Sequence, residues 1–448
     1  MEPRTDAPIL DAAERTELVD GLNAETLSAL MRSTWTWDDR ALRRQLSEVL
    51  VGLTAVRELR RGNIDCSPHV VNAAEARVLA GAGEFITDVL GPRLLAETGN
   101  PFRESLLPLT AATAELTADA DRELDRLAVD ITGHVIERNE DLATIVPEEQ
   151  WKTTAFEGAV GAAKVAYSAG FTLSDTEYFA AAGLGAQALA TATSPTDDSV
   201  DVRHCTLAAA ETTGSWDPAL VKTRAVPTAD GWSITGEKWY VPGAEDADTI
   251  LVIARTTGGP SLYRVDRAAA GLTVETLPTL DESRPLARIT FTGTPATAIG
   301  REGAGGRIMN RTVDKATTVL AGEQMGMVDR ALKTLCALPP SCSDGDAWRR
   351  FTRDVAELEL LRQYATALWY RAVKYDSSDN LDAAAVAAAM AHVGCSAAVR
   401  KVALRINTVV GDLDGAFVNT LRVRARATDL LMGGPALAHE RLLERLGI

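Results

Sequence analysis

Apolar residues recur every three or four positions over residues 41–58 (Leu42, Leu46, Val49, Leu50, Leu53) and 74–95 (Val78, Leu79, Phe85, Ile86, Val89, Leu90). That spacing puts them on one face of an amphipathic helix. A third helix is predicted over 119–138, and an alanine-rich helical stretch over 156–193. Gly91-Pro92 and Gly99-Asn100-Pro101 read as breaks, and residues 194–199 as a polar linker. The period then changes. From about 202 to 300 the residues alternate and β-branched types rise. Residues 221–226 and 232–236 flank Asp230-Gly231, a hairpin signal. Further strands are predicted at 249–254, 261–265, 272–277 and 287–292. Helical spacing returns over 308–335, 346–375, 381–407 and 416–446, punctuated by Pro339-Pro340 and Gly411.

The pattern predicts a mostly α chain with a small inserted antiparallel β-domain. Its expected units are an N-terminal helical extension (1–110), an N-terminal helical domain (111–200), the β-domain (201–305) and a C-terminal four-helix bundle (306–448).

Charge narrows the partners. The formal net charge of −16 excludes an ordinary nucleic-acid binder. The short basic run Arg57, Arg60, Arg61 reads as a solvated helix face. No uninterrupted apolar stretch approaches the ~18 residues of a membrane helix, and Met1-Glu2-Pro3 opens no apolar signal core, so no membrane is expected. Five scattered cysteines without a Cys-x-x-Cys pair, and five scattered histidines, predict reduced thiols in a cytoplasm and no metal site.

Local text adds a resemblance. Glu211-Thr212-Thr213-Gly214-Ser215-Trp216-Asp217, then Lys222-Thr223-Arg224-Ala225, then Asp230-Gly231 through Gly236-Glu237-Lys238-Trp239-Tyr240 run in order. Arg301-Glu302-Gly303, Asp314-Lys315, Gly322, Gly326 and Ala331-Leu332 follow. From about Cys205 onward this resembles the acyl-CoA dehydrogenase fold family. The first 110 or so residues match nothing in it.

The resemblance implies a reaction: a carboxylate base removes a proton beside a thioester carbonyl, and a hydride passes to flavin. Residues for both halves are missing. Registered on Arg424, the usual glutamate is Gly433. At the alternative base position, registered on Asp314-Lys315, stands Ala316. No acid lies among residues 430–439. The threonine before the family's glutamate is Ala210, the tryptophan covering the ring is Tyr240, and the threonine near the ring's N5 is Pro242. Proline offers neither hydroxyl nor N–H. The segment that reaches a neighbouring subunit's flavin is replaced over 336–348, and the glutamine before the Gly-Gly turn is Asn407. Glu211, Ser215 and Tyr240 are the residues left to touch FAD if it binds; no cofactor is the expectation.

Three functions follow. The first is a dehydrogenase-like subunit of a hetero-oligomer with a paralogous chain, acting on a small-molecule or acyl substrate in a biosynthetic pathway. The second is a cofactor-free, non-redox enzyme catalysing elimination, cyclisation or intramolecular substitution. The third is a flavin-dependent oxidase or monooxygenase. Candidate pocket residues are Ser215, Trp239, Tyr240, Arg311, Asp314 and Thr317. The last two sit three apart and share a helix face. Apolar runs at 383–390, 430–432 and 442–443 exceed what a four-helix core needs and predict a subunit interface.

Overall fold

Asp11 opens α1 (Ala12–Gly21) with a capping box: its side chain accepts from the Glu14 N–H, and Glu14 reaches back to the Asp11 N–H. Helices α2 (Ala24–Ser33), α3 (Arg40–Arg60), α4 (Pro68–Leu90) and α5 (Pro101–Arg138) follow. The computed structural model describes residues 10–95, 100–138, 146–174, 178–192, 201–337, 345–410 and 415–448. The expected linker at 194–199, Pro339-Pro340 and Gly411 lie outside them. Helix α5 begins at Pro101, ahead of the expected 119, and runs through residue 110.

Of the basic run expected to be a solvated face, Arg61 is exposed, but Arg57 and Arg60 are not. Arg57 is half-buried and donates to the carbonyls of Val19 (2.5 Å) and Leu22 (2.6 Å), closing the end of α1. Arg60 pairs with Glu75 of α4 at 2.5 Å.

The alanine-rich stretch becomes α6 (Glu148–Thr154), α7 (Gly158–Thr172), a π-helical turn (Phe179–Gly185) and α8 (Ala186–Ala192). Helices α7 and α9 (Gly305–Cys336) cross at backbone contact. A Cβ on Gly170 would sit 2.0 Å from the Glu323 carbonyl, and one on Gly326 2.0 Å from that of Tyr167. Only glycine permits that approach.

The β-domain has strands β1 (Cys205–Ala208), β2 (Arg224–Thr228), β3 (Gly231–Pro242), β4 (Thr249–Thr256), β5 (Gly259–Asp266), β6 (Leu272–Leu277) and β7 (Leu286–Ile299). Pairings β4–β5, β5–β7, β7–β3, β3–β2 and a single β2–β4 bridge close it into a small barrel. Most pairs are antiparallel; β1 runs parallel to β4. The Asp230-Gly231 hairpin joins β2 to β3 in register Thr228↔Gly231.

Helices α10 (Gly345–Asp376), α11 (Leu381–Val410), α12 (Gly415–Leu430) and α13 (Gly434–Arg445) complete the bundle with α9. The single helix expected over 416–446 is two. Gly433 (φ 104°) and Gly434 (φ 81°) stand in the left-handed region, and Pro435 lies in the first turn of α13. Helix α11 contains a span, Leu381–Asn407, long and apolar enough to cross a membrane, but 72% of its most apolar window is buried inside the fold.

The apolar surplus expected to form an interface is largely taken up within the chain. Ala387–Met390, Met432, Leu442 and Leu443 are buried. Helix α3 contributes Val51 and Ala55 to the core formed by α10, α11 and α13. The first helices therefore cover part of the bundle.

Candidate functional site

The loop after β1 carries Glu211, and the barrel consumes it. One carboxylate oxygen accepts from the amides of Lys222 (2.9 Å) and Thr223 (2.8 Å), the Thr223 hydroxyl (2.9 Å) and Lys238 Nζ (3.1 Å). Burial pushes this carboxyl up, but Lys238 and the amides outweigh it and hold it below its ordinary value. Lys238 is fully buried and also donates to the Ala209 carbonyl at 2.8 Å. Burial drives its ammonium down to about 8 against the pull of Glu211.

Next along β3 the ladder breaks. Lys238 pairs Ile289 and Val241 pairs Ala287, so Trp239 and Tyr240 together face one residue of β7. This is a β-bulge. Tyr240 takes φ 58°, a conformation bulky side chains avoid. Its ring stands 42% exposed over Gly214.

Two cavities meet beside this bulge. A cleft of about 420 Å³ is walled by Tyr240, Trp216, Leu280 and Leu430, with Ala210 and Gly433 in its lining. A second cavity, about 550 Å³, is lined by Pro242, Tyr178, Ala180 and Trp151. The loop between β6 and β7 stands between them: Leu280 and Asp281 line the first, Glu282 and Ser283 the second, and Arg284 both. Arg284 donates to Glu323 of α9 at 2.6 Å, and both side chains are almost wholly buried. Burial opposes the Arg284 charge, but Glu323 more than offsets it. Burial, then Glu323, pushes the Tyr178 hydroxyl well above its ordinary value, which keeps it a neutral donor 3.4 Å from the same carboxylate. Arg424 of α12 braces the loop by donating to the Ser283 hydroxyl and the Ser174 carbonyl.

The positions singled out in the sequence disperse. Gly433 and Tyr240 share the first cleft, with Ser215 one residue outside its lining. The Ser215 hydroxyl accepts from the Asp217 amide at 3.1 Å. Trp239 points elsewhere: its Nε1 donates to Glu237 at 3.1 Å, and Arg288 lies 4.9 Å over its ring. Ala316 is buried in the core joining α9 to the barrel. Thr317 bonds back to its own helix, to the Val313 and Asp314 carbonyls, both at 2.9 Å. Arg311 and Asp314 line a separate cavity. Pro242 is buried, and its carbonyl accepts from the Thr206 hydroxyl at 2.6 Å.

Sequence reasoning missed Asp281, Arg284 and Glu323. A signal existed for Glu323: the one charge in the largely apolar run from Val319 to Met327 must find a buried partner. Among the described residues, no group of three or more His, Cys, Asp or Glu forms a metal site. Cys66, Cys205, Cys336 and Cys395 are free.

Residues 206–293 match the family model for the acyl-CoA dehydrogenase middle domain. No curated protein matched the chain. Solved structures do. A steroid ACAD designated Tcur3481-Tcur3483 aligns at 21% identity and TM-score 0.57, over 73% of this chain and 97% of that one. The prolyl acyl carrier protein oxidase AnaB aligns at 16% identity and TM-score 0.59, over 73% and 97%. Butyryl-CoA dehydrogenase from Megasphaera elsdenii aligns at 16% identity and TM-score 0.58, over 73% and 98%. This chain thus has the acyl-CoA dehydrogenase fold, with more than a quarter of its length outside each of these alignments.

Proposed function

We propose that this chain is an acyl-CoA-dehydrogenase-like subunit that binds a small-molecule or acyl substrate in the cleft beside Gly433 without itself performing flavin-dependent dehydrogenation. It works in a hetero-oligomer in a biosynthetic pathway. One observation carries the reading. Gly433, which aligns with the family's base, and Pro242, which aligns with the threonine near the ring's N5, line two different cavities, with the buried Arg284–Glu323 pair in the wall between them, while Ala210 shares the cleft of Gly433. Removing one member of such a pair strands a buried charge, so the wall is costly to displace.

The residues present do not fit a flavin. Ala210 and Pro242 offer no hydroxyl, the Pro242 carbonyl is already bonded, and one of the two carboxylate oxygens of Glu211 is taken up by four donors. The cleft suits apolar atoms better, being walled by leucines and two aromatic rings. A partner subunit is supported by kinship with a steroid ACAD that carries two component names. The apolar runs of the terminal helices add little, because most of their residues are buried within the chain, in part against α3.

Calorimetry with octanoyl-N-acetylcysteamine tests substrate binding. The chain is expected to bind it, and Leu280→Glu, at the exposed rim, to weaken it about tenfold. Equal affinity in both proteins would remove the cleft as the site. Light scattering after co-expression with a paralogous chain tests assembly: a hetero-oligomer is expected, and two separate species would contradict it.

A second reading has its own observation. Asp281 places a carboxylate in the cleft lining, and its Oδ2 accepts no hydrogen bond, standing 3.7 Å from Arg424 Nε. That supports cofactor-free proton-transfer chemistry. Loss of product formation in Asp281→Asn, with thioester binding retained, would favour it.

A further inference from the structure

Arg307, Arg311 and Asp314 of α9 line a cavity that the proposed function does not use. It measures about 290 Å³, lies where α9, the start of α11 and the end of α13 meet, and shares no lining residue with the cleft. Arg307 and Arg311 enter it one turn apart on α9, and Arg445 enters from α13. Like charges at that spacing oppose each other. Their local partners position them but do not neutralise two of the three. Arg307 Nη2 donates to the Thr191 carbonyl at 3.2 Å, and Arg311 Nη1 to the Leu381 carbonyl at 2.7 Å. Arg445 alone of the three hydrogen-bonds a buried carboxylate, Asp314, whose Oδ1 accepts from Nε (3.2 Å) and Nη2 (3.0 Å), although Arg311 and Arg441 also lie within electrostatic reach of it. Asp382 lies 4.0 Å from Arg311, but its side chain is fully exposed and screened by water.

Two further features define what fits. The amino end of α11, a 30-residue helix, faces the cavity through Asp382 and adds the positive end of its dipole. The second carboxylate oxygen of Asp314, buried with 7% of the residue exposed, accepts no hydrogen bond. A ligand for this cavity therefore brings an oxyanion for the guanidinium forks and a hydrogen-bond donor for Asp314. A carboxylate lacks the donor. A phosphate monoester has both, because its second proton leaves near pH 6 and a P–OH persists in part at neutral pH. Guanidinium geometry matches phosphate oxygens pairwise.

We propose that the cavity formed by Arg307, Arg311 and Arg445 around Asp314 binds the phosphate monoester group of a small molecule. The site stands apart from the cleft and from the reading given to it. Titration calorimetry on the full chain tests it, with phenyl phosphate, diethyl phosphate and benzoate as probes. Phenyl phosphate binds, while the diester, which lacks P–OH, and the carboxylate bind at least tenfold more weakly. Arg307→Gln and Arg311→Gln each weaken phenyl phosphate about five- to tenfold with an unchanged melting temperature. Arg445 is left intact because its loss strands Asp314. Absent phenyl phosphate binding, equal binding of the diester or benzoate, or indifference to both substitutions would overturn the assignment.

Discussion

The two ends of α13 differ in what they offer a ligand. At its start, Gly433 opens an apolar cleft where the fold family would place a carboxylate. At its finish, Arg445 joins two more arginines and a buried aspartate. Twelve residues, roughly 18 Å of helix, separate them. At the first end, apart from the Asp281 carboxylate, polar groups that could act on a substrate are absent or committed to one another across the β6–β7 loop. At the second, charge is concentrated beyond what local pairing needs. One helix thus carries an apolar cleft at its start and concentrated charge at its finish.

The largest expected effect tests the wall beside the first end. Glu323→Gln leaves Arg284 charged and buried, and should cost about 3–5 kcal/mol of stability by urea unfolding. The double substitution Glu323→Leu with Arg284→Met should cost much less. Equal losses in the two proteins would show that the ion pair is not what holds the wall.

Gly433→Glu comes next. Its backbone at φ 104° is one that side chains resist, and a Cβ would lie 3.0 Å from Leu437 Cδ1. A loss of about 1–2 kcal/mol is expected, with no acyl-CoA oxidation gained in the presence of FAD. Dehydrogenase turnover in this variant would mean that the cleft still accommodates the flavin reaction.

Tyr240→Asn should act in the opposite direction. Asparagine tolerates the left-handed conformation better, so stability should rise by about 0.5–1 kcal/mol while octanoyl thioester binding falls. A rise in stability with unchanged binding would assign the strained ring no part in the cleft.

The smallest effect at neutral pH lies under α13. His392 is buried on α11; burial first, then Arg441, His439 and Arg400, hold its folded value down to about 3. Below pH 6.5 the unfolded chain takes up a proton that the folded chain refuses, so stability falls as pH drops from 6.5 towards 3. His392→Leu should flatten that slope in pH-dependent thermal unfolding, and an unchanged slope would place the acid sensitivity elsewhere.

The comparison also shows what a sequence can reveal. The barrel was legible because its signals are local: alternation, and Asp230-Gly231 at the β2–β3 turn. The helices were legible from their period. The break between α12 and α13 was visible in Gly433-Gly434-Pro435 but was read as continuous helix, since the apolar period runs on across it. The site was legible only by what it lacks. Arg284 and Glu323 are 39 positions apart, and no local pattern says that they meet. Tyr240, Arg311 and Asp314 were expected to line one pocket, yet Tyr240 belongs to the bulge of β3 and the other two to the far face of α9. The spacing of Asp314 and Thr317 placed both on one helix face, but the hydroxyl satisfied itself on its own backbone.

Whether the cleft takes a flavin is decided most directly by equilibrium dialysis of the purified chain against FAD, followed by gel filtration and a visible absorbance spectrum. With Ala210 and Pro242 where the fold family aligns its ring-edge threonines, and the Arg284–Glu323 wall in place, the protein should emerge colourless, with far less than one flavin per chain, both alone and after exposure to excess FAD. A yellow protein carrying one FAD per chain would contradict this, and would return the cleft to the flavin chemistry of its fold family.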